Sequence, residues 1–109
     1  MIKKINNTII DVNGKMLEFD INISQILEYN DFFLLLLRER KEVPNNVIAF
    51  DYEGNEIWKI NDIVQAKIPR GFDEIEKISD DLLKAHYELG IIFEIDVIKR
   101  EIVNKTFLR

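Results

Sequence analysis

The chain carries one histidine and no cysteine, so its chemical repertoire is narrow. His86 is the only imidazole, and a general base is the role that residue type suggests. As a strand residue with Lys84 and Glu88 on its face, it reads as solvent-exposed. No Ser-His-Asp order, histidine cluster or phosphate loop accompanies it. No thiol nucleophile or thiolate metal site can form. Asp11, Asp51 and Asp96 are candidates for paired carboxylates, but each ends a strand just before a turn. A carboxylate there accepts a backbone N–H two residues on and closes an Asx-turn. Trp58 is a possible binding hot spot, although its place in a repeated strand favours the core. No catalytic residue, metal ligand or cofactor is assigned, and the expectation is a protein that is not an enzyme.

Charge gives the stronger lead. The net charge is −5 over 109 residues. Between Gly71 and Gly90 six acids face two lysines, a net of −4, so the rest of the chain nets only −1. Asp73, Glu74, Glu76, Asp80 and Asp81 are therefore the candidate partner-binding residues, and a basic protein surface is the partner they suit. Asp80-Asp81 also reads as an ordinary solvated turn. An acidic chain is a poor match for a nucleic-acid backbone. The longest apolar run, Phe32 to Leu37, is far below the roughly 18 to 20 residues that span a bilayer. The N-terminal lysines precede no signal-peptide core. The expectation is a cytoplasmic single domain over residues 1–109, with no membrane partner and an oligomeric state left open.

These side chains must be positioned by strands and turns. Asn13-Gly14 between apolar runs is a hairpin signal. Glu53-Gly54 repeats it, and Lys99-Arg100 repeats it without the glycine. A shift of 40 residues lays Ile10, Asp11, Gly14 and Leu17 on Phe50, Asp51, Gly54 and Ile57. A shift of 45 lays Phe50, Asp51, Ile57 and Trp58 on Ile95, Asp96, Ile102 and Val103. That spacing is the length of a four-stranded propeller blade, and the chain holds barely two and a half such units. Leu17, Phe19, Ile21 and Ile23 alternate with polar residues, as in a strand with one wet face. Phe32 to Leu37 is apolar on both faces and should be a central buried strand. Pro44-Asn45-Asn46 marks a turn, and Pro69-Arg70-Gly71 a loop after Ile68. Ile75, Ile78, Leu82, Ala85 and Leu89 form a helical stripe, which Ser79 could cap and Gly90 could end. The same stretch also parses as two strands about a turn at Ser79-Asp80-Asp81.

The segment Asn46 to Ile60 has an apolar strand, Ala49-Phe50-Asp51, a turn glycine and a strand ending in Trp58. It resembles a blade motif of quinoprotein-like β-propellers. With Phe93-Glu94-Ile95-Asp96 and Ile102-Val103-Asn104-Lys105-Thr106-Phe107, it is also similar to a group of small bacterial proteins, some of them thought to be toxin-immunity proteins. The chain departs from that pattern at Val97 to Arg100, where a glycine is usual, which implies a longer turn. The resemblance implies a strand at Leu82 to Tyr87 and so favours strands over helix there. It does not imply the quinone cofactor, whose ligands are not matched. The fold expected is all-β and mainly antiparallel, a partial-propeller-like or sandwich arrangement of about eight to nine strands. The alternative is α+β with one helix near 75–89. The function the resemblance implies is an immunity-type inhibitor of a cognate bacterial toxin. The alternative is an assembly module that oligomerises through β-edges.

Overall fold

The computed structural model describes residues 2–38, 45–67, 70–88 and 90–107. Pro44, Ile68, Pro69 and Leu89, which the sequence reading used for a turn, a loop and a helical stripe, lie outside them. Three antiparallel meanders follow one another along the chain. The first is β1 (Ile2–Lys4), β2 (Ile9–Val12) and β3 (Lys15–Glu18). The second is β4 (Ile23–Glu28), β5 (Phe32–Leu37), β6 (Val47–Asp51) and β7 (Glu56–Lys59). The third is β8 (Phe72–Lys77), β9 (Leu82–Tyr87), β10 (Ile91–Asp96) and β11 (Glu101–Phe107). A single turn of helix, α1 (Asn61–Val64), links the second sheet to the third. The fold is therefore mainly antiparallel β, with eleven strands among the described residues rather than eight or nine.

The internal repeat is the last hairpin of each sheet. At each turn an aspartate carboxylate caps the backbone. Asp11 Oδ1 accepts from Gly14 N at 2.7 Å. Asp51 Oδ1 accepts from Glu53 N and Asn55 N, both at 2.9 Å. Asp96 Oδ1 accepts from Ile98 N at 3.0 Å and Lys99 N at 2.8 Å. The first turn has Asn13 at φ 51° and Gly14 at φ 97°, the left-handed pair that a two-residue hairpin requires. The third turn lacks glycine, and Arg100 takes the left-handed conformation instead, at φ 59°.

The middle sheet lies between the other two, and β5 explains why. Its odd residues, Phe33, Leu35 and Leu37, pack with Ile10 and Val12 of the first sheet. Its even residues, Phe32, Leu34 and Leu36, pack with Phe72, Ile75, Leu83 and Phe93 of the third. All six are buried, as a strand apolar on both faces demands. Two side-chain amides stitch the second sheet to β8. Asn46, fully buried, donates to Leu37 O at 2.8 Å and Phe72 O at 3.0 Å, and accepts from Phe72 N at 2.9 Å. Gln25 donates to Ile75 O at 2.9 Å and accepts from Ile75 N at 2.8 Å. Each amide acts as one residue of a neighbouring strand, satisfying backbone groups that would otherwise be stranded in the interior.

Two expectations change. Leu17 to Ile23 is not one strand: the chain leaves the first sheet after Glu18 and enters the second at Ile23. Alternation survives because Phe19 N still bonds Thr8 O at 2.9 Å and Ile23 N bonds Asn7 O at 2.7 Å, keeping the odd residues inward. The helical stripe over 75–89 is not a helix. β8 and β9 turn at Ser79–Asp81, with Ile78 N bonded to Leu82 O at 2.9 Å. Ile75 and Ala85, which share the stripe, are cross-strand partners. A hairpin folded at that point buries Ile75 and Ala85 together and leaves Ile78 exposed.

Candidate functional site

β8 exposes its acids because it is bulged. The register slips between Phe72 and Glu74, so Asp73 and Glu74 are both exposed where strict alternation would expose one. Ile75 returns to the core and Glu76 faces out again. On the outer face of the third sheet, cross-strand pairing then builds two rows. Glu74 lies opposite His86, His86 opposite Ile92, and Ile92 opposite Thr106. Glu76 lies opposite Lys84, Lys84 opposite Glu94, and Glu94 opposite Asn104. Asn104 donates to Glu94 Oε2 at 2.9 Å, closing the second row.

His86 is half-buried rather than free in solvent, because both carboxylates crowd it. Its Nε2 stands 3.1 Å from Glu76 Oε2 and 3.6 Å from Glu74 Oε2, with 28% of the side chain exposed. Lys84 shares its face as expected, on the same strand. The donor atoms of Glu74, Glu76 and His86 lie within 4.8 Å of one another, a set of two oxygens and one nitrogen that a divalent cation accepts. The same closeness is what a histidine hydrogen-bonded to a carboxylate requires. Chemically, the face can hold an ion between strands and present negative charge to a partner.

The five predicted binding residues are exposed but do not form one cluster. Glu74 and Glu76 converge on His86, and Asp73 stands beside them at the bulge. Asp80 and Asp81 lie past the end of β8, in the turn to β9. Asp81 Oδ1 accepts from Ser79 Oγ at 2.8 Å, and Asp80 Oδ1 is 3.8 Å from Lys77 Nζ. Lys77 is itself turned inward: its ammonium lies 4.8 Å above the Tyr29 ring and donates to Glu28 O at 3.1 Å. Burial first, and then the charge of Asp81, push the Tyr29 phenol up to about 12.

A second surface was missed from sequence. Ile98, Ile102, Val103 and Phe107, on the β10–β11 hairpin, are 59%, 38%, 52% and 65% exposed. The repeat pairs Val103 with Trp58, which is buried at 4%. Trp58 sits in the middle sheet, which the third sheet covers, whereas β11 ends the third sheet. The readable signal was Lys105, a charge set inside an apolar alternation, which marks an edge strand.

The model of the family described as Domain of unknown function (DUF7957) matches residues 2–107. The chain belongs to that family. No curated protein matches it. Membership extends over all three sheets, so the acidic face and the terminal hairpin both lie within the family domain. No helix among the described residues is long and apolar enough to cross a membrane.

Proposed function

We propose that this domain is a non-enzymatic protein-binding protein, an immunity-type inhibitor whose acidic strip meets the basic surface of a bacterial toxin. The observation that carries the reading is the set of exposed carboxylates along β8 and its turn, with Asp73 and Glu74 turned outward together by the bulge and Glu76 following by alternation. Like charges in neighbouring positions oppose folding slightly, and His86 faces two of these carboxylates while a basic partner would meet the rest. Nuclease toxins carry basic surfaces because they bind phosphates, and an acidic inhibitor is steered onto such a surface at high rate. The toxin assignment draws on the resemblance of the two hairpins; the acidic strip supplies the docking chemistry.

The test is association kinetics with the product of the adjacent gene, comparing the parent with an Asp73→Lys, Glu74→Lys, Glu76→Lys triple variant. Association should slow roughly tenfold or more in the variant at low salt. The difference should shrink as the Debye length falls from about 10 Å at 0.1 M to about 3 Å at 1 M. An association rate equal to the parent's at low salt would remove the strip from the interface.

A further inference from the structure

We propose that β11 is an acceptor edge for one extended strand of a partner protein, a strand that sets a carboxylate between apolar residues opposite Lys105. This surface is separate from the acidic strip and rests on different observations. β11 is the terminal strand of its sheet, and all seven of its residues are exposed. Alternate backbone N–H and C=O groups therefore point away from β10, ready to pair. On the face shared with the core side of β10, Phe107, Lys105 and Ile102 stand opposite Ile91, Phe93 and Ile95. Val103 is the extra residue of the bulge, and it too is exposed. Apolar side chains thus flank one cation. Lys105 Nζ lies 5.6 Å from the Phe93 ring centre and 5.1 Å from that of Phe107. Among the described residues it has no carboxylate partner.

Charge complementarity selects the occupant. A lysine and a bulge in an edge strand also guard against indiscriminate pairing. In β11 the guard is the selector: it penalises a purely apolar strand or a cation and admits an acid. A second copy is a poor occupant. Two-fold antiparallel pairing over the C-terminal half of β11 sets Lys105 near its own copy, and like charges across strands repel.

The test uses the isotope-labelled chain and a short capped peptide of alternating valine and threonine with a central glutamate. A matched peptide carries lysine at the centre. Backbone amide shifts should move along residues 101–107, and the glutamate peptide should bind roughly fivefold tighter than the lysine peptide. Lys105→Glu, an exposed change, should reverse that order while the unfolding midpoint stays put. The proposal is overturned if the shifts fall elsewhere, or if the two peptides keep the same order in both proteins. It is also overturned if amides 101–107 shift with protein concentration alone, which makes a second copy the occupant.

Discussion

β5 is apolar throughout and β11 carries Ile102, Val103 and Phe107 among polar residues; the first is buried at every position and the second exposed at every position. Composition already hints at the difference, since Glu101, Asn104, Lys105 and Thr106 interrupt β11 and nothing polar interrupts β5; their places in the stack of sheets complete it. β5 has a hydrogen-bonded neighbour on each side and a sheet against each face. Among the described residues β11 has one hydrogen-bonded strand neighbour, β10, and α1 lies near it. Burying a leucine contributes about 1.5–3 kcal/mol relative to leaving it exposed, so the two strands must differ sharply in what they give to stability. The difference also separates the strand that holds the fold from the strand that offers a surface.

The sharpest way to break the comparison is to cut into β5. Leu35→Ala empties a site facing the first sheet, and Leu36→Ala a site facing the third. Each should lower the unfolding free energy by about 2–5 kcal/mol, read by urea titration. A parent-like midpoint for both would show that the middle strand is not the core. Next comes the seam between sheets. Asn46→Leu removes three hydrogen bonds and leaves the Phe72 N–H and C=O without the amide that served them. A loss of about 1–3 kcal/mol is expected, with faster hydrogen exchange at Phe72. Gln25→Leu, at a half-buried site, should cost less.

How far these roles could be read from sequence follows from the same contrast. Properties set within one hairpin were legible: the three aspartate turns and the doubly apolar β5; the strand Leu82 to Tyr87 was reached only through the resemblance, because its spacing also fits a helix. Properties set between elements were not. The Asn46 and Gln25 bridges join residues 26 and 50 positions apart, and no local pattern marks an amide that will stand in for a strand. Trp58 was read as core from its place in the repeated strand, and it is buried, whereas its repeat partner Val103 is exposed; the repeat conveys the hairpin but not what lies over it. The acids of β8 were legible as charge, whereas the bulge that turns Asp73 and Glu74 outward together was not. His86 was misjudged because its burial comes from Glu74 and Glu76 across the hairpin.

A middle-sized effect sharpens the comparison through pH. Tyr29 packs against the face of β5, its ring stacked on Phe32 at 5.0 Å, and donates to Leu82 O at 3.3 Å. Its phenol ionises only near 12 in the folded chain, against 10.0 for an ordinary tyrosine. The folded state therefore keeps a proton that the unfolded state releases. Stability is whole below about pH 10 and falls as pH rises toward and through 12. Tyr29→Phe should flatten that decline but not abolish it, because burial first and then the charge of Glu28 also raise the Tyr52 phenol. At the other end of the scale, the Asn55 N–H first, and then that of Glu53, hold the Asp51 carboxyl below its usual value. Asp51 stabilises the fold above the ordinary carboxylate pKa, and this contribution is lost as pH falls through its lower folded value. Asp51→Asn should remove that part of the acid dependence, which thermal melts at acidic and neutral pH would reveal.

The smallest expected effect is the one that most directly tests what β11 is for. Val103→Thr and Phe107→Ser change exposed side chains on the edge strand, and each should shift the unfolding free energy by no more than about 0.5 kcal/mol. The hydrogen-bond register between β10 and β11 does not depend on those groups, and Thr keeps the β-branched shape that suits a strand. If either change costs more than about 1 kcal/mol, well beyond what surface substitutions usually do, β11 is covered by something and belongs with β5. If both are silent in stability yet weaken binding of the glutamate-centred peptide, the apolar groups of β11 serve a partner and not the fold. The pair of measurements matters more than either alone, since stability without binding would leave only a tolerant edge. The contrast between the two strands would then be functional as well as structural: one strand buried to hold the sheets together, the other exposed to receive a strand.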